Sequence, residues 1–284
     1  MKLLWSKSIP MEASWEPTYA GVFCKSTHKT HFIYKYGKGI GILSDDANAV
    51  QNLVASEWLV PLPHNWVLSQ TADRTILYLN EDLMMEIPEF RIREVKEDSL
   101  KKVFRVLRKP EKYYEEAFFS FGEYCISHKG NFGYRCTLSG KKLWDFQGQG
   151  YLYTDICVRN NRVFFGTAGQ GGYFYILDLQ TGETLAKIKT GGTASFVTAG
   201  NCCYVLSNDK TARLLCVSLT DGTTLRETVL PGKSNIYSSL DLMDGKIHAI
   251  TFLYKNRFLQ QVVWNCIALT ASNEDIVEDW FANK

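Results

Sequence analysis

Short apolar runs alternate with polar positions along most of this chain, and many end at a glycine- or asparagine-containing turn. Tyr134-Arg135-Cys136-Thr137-Leu138 runs into Gly140, Tyr175-Ile176-Leu177-Asp178-Leu179 into Gly182, and Leu215-Cys216-Val217-Ser218-Leu219 into Gly222. A second run follows each turn, opening Leu143-Trp144, Leu185-Ala186 and Leu225-Arg226. Between these phrases lie polar pairs, Asn160-Asn161, Gly200-Asn201 and Asp244-Gly245, each followed by a further apolar run. Runs of this length joined by short polar turns predict antiparallel strand hairpins.

The three turn glycines, at 140, 182 and 222, are 42 and 40 residues apart. That period is too long for one hairpin and fits a four-stranded unit of the kind that builds a propeller blade. Sets of inner strands fall at 10–48, 62–97, 110–139, 148–180, 190–220 and 232–270. The expected fold is therefore all-β, a single six-bladed β-propeller of four-stranded antiparallel blades, with seven blades as the alternative. Outer strands are expected at Glu57-Trp58-Leu59-Val60 and Lys101-Lys102-Val103-Phe104. Taken alone, Leu100, Val103, Phe104 and Leu107 have helical spacing, with Asp98 or Ser99 as a cap. The repeat argues for a strand there, and a strand is the expectation. Leu3-Leu4-Trp5 is an outer strand without inner partners of its own. It is expected to complete the last blade and close the ring, which would protect the sheet edges. Residues 274–284 then form an acidic tail.

The 284 residues suit one large domain, 1–284, with a sizeable core. Hydrophobic residues make up 45% and charged residues 22%, the balance of a soluble globular chain. The net charge of +2 supplies no field for nucleic acid or an acidic membrane, and neither is expected as a partner. Ser6 and Lys7 interrupt the first apolar run after three residues, short of a signal peptide, and no run nears the ~20 residues of a membrane span. Most of the eight cysteines, at 24, 125, 136, 157, 202, 203, 216 and 266, lie in apolar strand-like runs. Together these features set the expectation of a cytoplasmic protein.

The phrase Tyr175-Ile-Leu-Asp-Leu-Gln-Thr-Gly-Glu-Thr-Leu, after Asn161-Arg-Val-Phe-Phe-Gly, resembles the repeat of quinoprotein-like (PQQ-like) β-propellers. Residues 134–226 carry the resemblance well, and the flanking regions only loosely. It implies the fold and not one function, because the family holds both cofactor-dependent dehydrogenases and binding scaffolds. The resemblance also implies a vicinal disulfide at Cys202-Cys203 against a quinone. The pair opens a strand, so its side chains should point to opposite faces, and no such bond and no cofactor are expected. A lone Trp144-Asp145 leaves the WD40 signature unfilled, and the double glycine Gly171-Gly172, even with Gly191-Gly192, is too few for kelch.

His28 and His31 straddle a hairpin, but a zinc site needs three or four ligands, and no metal is expected. No nucleophile elbow, phosphate loop or His-Glu-x-x-His motif occurs. The stronger signal is positional. The crossings from each outer strand to the next inner strand share one face in a propeller. Here they hold Trp15 and Tyr19, Trp66, Tyr113 and Tyr114, Tyr151 and Tyr153, Phe196, and Tyr237. Among them lie Glu12, Glu16, Glu111, Glu115, Glu116, Asp155 and Asp241. Aromatic anchors amid polar groups are the make-up of a binding hot spot, and the carboxylates favour a basic protein partner. The leading expectation is a non-enzymatic protein-binding propeller, for instance an immunity-type protein that covers a toxin domain. The alternatives are a carbohydrate-binding or glycoside-processing site in the channel, with Glu16, Glu115 and Asp155 as carboxylates, and a quinone-dependent oxidoreductase.

Overall fold

The computed structural model describes residues 1–10, 21–26, 28–36, 38–47, 49–53, 60, 61, 63, 66–71, 74–107, 117–152, 154, 156–169, 171–192, 195–208, 210–235 and 238–269. The chain opens with β1 (Lys2–Ile9), β2 (Val22–Ser26), β3 (Lys29–Tyr36), β4 (Gly39–Ser44) and β5 (Gln51–Leu53). Then come β6 (Val67–Gln70), β7 (Thr75–Tyr78), β8 (Leu83–Ile87), β9 (Arg91–Glu94) and one helix, α1 (Asp98–Leu107). The next strands are β10 (Ala117–Phe121), β11 (Tyr124–Lys129), β12 (Phe132–Thr137), β13 (Lys142–Gln147), β14 (Tyr151–Leu152), β15 (Cys157–Arg159), β16 (Arg162–Ala168), β17 (Tyr173–Asp178) and β18 (Thr184–Lys189). The last are β19 (Phe196–Ala199), β20 (Cys202–Asn208), β21 (Ala212–Ser218), β22 (Thr224–Val229), β23 (Leu240–Met243), β24 (Lys246–Lys255) and β25 (Phe258–Ala268).

These strands form six antiparallel sheets, each four strands across. Five are ordered β2 to β5, β6 to β9, β10 to β13, β19 to β22, and β14-β16-β17-β18 with β15 also on β16. In the sixth, ordered β1-β25-β24-β23, the N-terminal strand takes the outer place beside the C-terminal strand. Ser6 Oγ donates to Asn265 Oδ1 at 2.7 Å across that pairing. The indole of Trp5 meets Trp264 edge to face at 5.4 Å.

The chain divides into two compact units, Ile9–Lys109 and a second made of Met1–Ser8 with Pro110–Lys284. In the first unit, Cys24, Ile33, Ile40 and Ile42 pack against Leu77, Leu83, Met85 and Ile87 of the neighbouring sheet. The other face of that second sheet is covered by α1, whose Leu100 and Phe104 bury against Ile76, Tyr78 and Met84. One expectation is corrected here. Lys101–Phe104 is helical, because its apolar positions three and four apart cover a sheet face. The outer strand of that second sheet is β9 instead, and β5 is the outermost described strand of its neighbour. Glu57–Leu59 lies outside the described residues, as does the acidic 274–284 segment, and Val60 is buried in the core.

In the second unit the sheets stack face on face in chain order, and strand alternation feeds each interface. Val163 and Phe165 of β16 pack toward Ile126 and Trp144, while Phe164 packs toward Cys203 and Val205. Tyr204 and Leu206 of β20 pack in turn toward Ile247, Ala249 and Ile267, with Leu3 of β1 against them. The repeated phrase locks one sheet to the next. Trp144 Nε1 donates to Leu179 O at 2.8 Å, and Arg135 Nη1 donates to the same oxygen at 2.8 Å. Arg162 makes the corresponding bond to Leu219 O one sheet later. Gly182 has a φ of +75°, and a β-carbon on it would fall 2.8 Å from the Trp144 ring. Each of the three sheets also carries a bulge against its outer strand at the same place, at Arg135/Cys136, Ile176/Leu177 and Cys216/Val217.

Candidate functional site

Antiparallel order fixes which loops share an end of each sheet. In the second unit, the hairpins β11–β12, β16–β17, β20–β21 and β24–β25 open at the end where one sheet crosses to the next. Backbone bonds chain these loops together. Leu152 N donates to Gly130 O at 2.9 Å, Thr190 N to Gly172 O at 3.1 Å, and Asn208 N to Thr190 O at 2.8 Å. Ala212 N donates to Gly232 O at 2.9 Å, and Lys233 bridges to Phe252. The loop ends of these sheets therefore form one continuous rim. Close approach requires glycine in it: Gly172 has a φ of +46°, and a β-carbon there would fall 2.2 Å from Gly192 N.

The exposed large apolar side chains of this unit sort by end. Phe132, Tyr151, Val229, Tyr254 and Phe258 lie at the hairpin end, and Phe258, at 74% exposure, is the most open. Leu4, Leu138, Leu143, Leu185 and Leu225 lie toward the opposite ends of their sheets. All four exposed aromatic rings among the described residues are thus on the rim. The ring of Tyr151 stands beside Gly130 and Gly169. Next to it, Lys187 lies 4.2 Å over the ring of Tyr173 and donates to Gln149 Oε1 at 2.6 Å. The rim also presents exposed cations at Lys129, Lys189, Lys210, Lys233, Lys255 and Arg257.

Of the residues singled out from the sequence, Tyr151 is described and exposed on this rim. Trp66 is corrected: it is only 7% exposed, it packs among Val60, Leu77 and Leu79, and its Nε1 donates to Pro61 O at 3.1 Å. Its indole holds a core together and offers no contact face. Trp15, Glu16, Tyr19, Tyr113, Tyr114, Glu115, Tyr153, Asp155 and Tyr237 lie outside the described residues. Phe196 packs edge to face on Phe174 at 5.1 Å. Asp241 is described near the start of β23 and is half-buried. Sequence reasoning missed Phe132, Tyr254 and Phe258. The available signal was an aromatic residue directly flanking a hairpin turn, as in Gly130-Asn131-Phe132 and Tyr254-Lys255-Asn256-Arg257-Phe258.

The other candidate chemistry resolves into packing. His31 is buried, with Nδ1 2.9 Å from Ser44 Oγ and its ring edge-on to Phe90, whereas His28 sits exposed in the turn. Burial pushes the His31 imidazole below its ordinary pKa, against a weaker upward pull from Asp45. Cys202 and Cys203 face opposite sides of β20, one toward the core shared with β23 to β25 and the other toward β16 and β17. Burial raises the Cys203 thiol far above its ordinary pKa and lifts Cys216 to about 11, which keeps both in the thiol form. Among the described residues, no group of three or more His, Cys, Asp or Glu is placed to hold a metal ion. No described helix is long and apolar enough to cross a membrane.

No family model matches this chain, the quinoprotein-like one included, and no curated protein matches it. Among solved structures, BamB from Moraxella catarrhalis is 14% identical, over 86% of this chain and 71% of that one, with a TM-score of 0.40. The WD40 β-propeller domain of Doa1 is 14% identical, over 87% of this chain and 78% of that one, with a TM-score of 0.41. The computationally designed Ika8 protein is 11% identical, over 93% of this chain and all of its own, with a TM-score of 0.45.

Proposed function

We propose that this chain is a protein-binding β-propeller that grips its partner on the hairpin rim. In this reading the six sheets are six blades, and β1 closes the ring by completing the last one. The observation that carries the binding role is the sorting of exposed rings: Phe132, Tyr151, Tyr254 and Phe258 share one end, on a rim continuous through backbone bonds. Aromatic side chains lose little entropy on docking and bury large areas, so a cluster of them suits a protein contact. The carboxylates of the crossings favour basic groups on the partner. The cations at Lys189, Lys233, Lys255 and Arg257 add a patch of the opposite sign, suited to acidic groups on the same partner. Covering and silencing a toxin domain is a role of this kind, because it needs a broad rigid surface and no chemistry of its own.

The test is affinity capture from the native cell with the intact chain and with a Phe132→Ala/Tyr151→Ala/Phe258→Ala variant. We expect a stoichiometric protein partner with the first and its loss with the second, at unchanged circular dichroism. Equal capture by both would remove the rim from the account. A retained small molecule in place of a protein would replace the binding role with a channel site.

A further inference from the structure

Hairpin β11–β12 sets Cys125 directly opposite Cys136 in a regular register that runs from Tyr124↔Thr137 to Lys129↔Phe132. Their sulfurs lie 2.8 Å apart. Directly opposed antiparallel residues have α-carbons about 4.5–5.5 Å apart, within the span a disulfide bridges without backbone movement. The bulge beside Cys136 falls on the β13 side, so the ladder between the two cysteines is undisturbed. Among the described residues, no other cysteine is set directly opposite a cysteine across a ladder: Cys24 faces His31, Cys157 faces Phe164, Cys203 faces Val217, Cys266 faces His248, Cys202 faces Ser218 and Cys216 faces Tyr204, so Cys202 and Cys216, although in side-chain contact, meet only on the diagonal. Exposure divides the labour within the pair, since Cys125 is half-buried and Cys136 is only 4% exposed.

We propose that Cys125 and Cys136 form a reversible oxidation site, converted to a cross-strand disulfide by a low-molecular-weight disulfide such as oxidised glutathione. Cys125, the more accessible, gives up its proton to solvent, and its thiolate attacks one glutathione sulfur. The glutathione S–S bond breaks, one glutathione thiolate leaves and takes up a proton, and a mixed disulfide remains on Cys125. Cys136, already in contact, loses its proton and attacks Cys125 Sγ. The mixed disulfide breaks and the second glutathione leaves as a thiol. The two cysteines lose two electrons and two protons, and oxidised glutathione gains them as two thiols. The same exchange run backwards by a dithiol restores the pair. The new bond ties β11 to β12 near the end of the hairpin away from Gly130, on the face that carries Ser127 and Tyr134.

The test uses the full chain, reduced, freed of reductant and incubated with oxidised glutathione. It is then quenched in acid, denatured, alkylated and digested with trypsin. Cleavage at Lys129 and Arg135 separates the two cysteines, so a disulfide appears as one cross-linked species that dithiothreitol splits. We expect that species, with the remaining cysteines alkylated, and a glutathione adduct trapped on Cys125 in the Cys136→Ser variant. Full alkylation of Cys125 and Cys136 in wild-type chain that stays folded would overturn the proposal. So would a glutathione adduct persisting on wild-type Cys125 without cross-linking. Should Cys136→Ser fail to fold, the wild-type map alone decides.

Discussion

The contact between Gly182 and Trp144 can be broken from either side, and the two perturbations should not add. A Gly182→Ala chain must hold a β-carbon at a φ of +75°, which costs about 1–2 kcal/mol for an L-residue. It must also push that carbon against an indole 2.8 Å away, and overpacking of this kind costs about 1–3 kcal/mol. The expected loss is about 2–5 kcal/mol. Gly140→Ala is the control: its φ is +86°, but nothing lies within 4 Å of the added carbon, so about 1–2 kcal/mol is expected. Trp144→Ala should cost about 3–5 kcal/mol for the lost ring. It leaves no orphaned acceptor, since Arg135 still bonds Leu179 O. In the Trp144→Ala background the clash is gone, and Gly182→Ala should cost only its backbone share. Urea unfolding followed by circular dichroism on the four chains of the cycle gives the coupling, expected at about 1–3 kcal/mol. Additive losses, or equal losses for Gly140→Ala and Gly182→Ala, would refute the reasoning.

Asn265 is fully buried and bonds Ser6 and Thr251, so Asn265→Ala should lower stability by about 1–3 kcal/mol in the same titration. His31 has a folded-state pKa below its unfolded value of about 6.5, so the unfolded chain takes up more protons in that window. Its contribution is therefore whole above about pH 6.5 and is lost as pH falls toward the folded value, and a His31→Gln chain should show a flatter acid limb in thermal melts. Phe258→Ala should leave stability within about 0.5 kcal/mol, because the ring is exposed, while weakening partner capture measured side by side.

Strand pairing was the most legible part of this chain. The turn glycines at 140, 182 and 222 carry the positive φ that a side chain would resist, so their spacing reads directly as structure. The pairing of the N-terminal strand with the last sheet was legible too, because Leu3-Leu4-Trp5 had the outer-strand pattern and no inner strands of its own. The helix α1 was written in the spacing of Leu100 and Phe104, and the repeat argued it away. Local periodicity decided the matter, since the face of the β6 to β9 sheet that α1 covers needed an apolar stripe. Burial was the least legible. Trp66 sits in a crossing with the same polar neighbours as an exposed ring would have, and only the packing of Leu77 and Leu79 around it shows its role. The outward rings of Phe132 and Phe258 open their strands directly beside a hairpin turn, a local signal that the focus on the crossings passed over.

The pairing of β1 with β25 also sets an order of assembly. Ser6 and Asn265 meet across 259 residues of chain. At a synthesis rate of about 5–20 residues per second, the N-terminal strand waits roughly 10–50 s for its partner to be made. Throughout that interval its ladder groups are open, and a newly made β25 presents the same vacant edge to any copy of β1 within reach. Two chains emerging side by side thus have an alternative to folding separately: each can lend its first strand to the other, giving an exchanged pair with every native hydrogen bond intact.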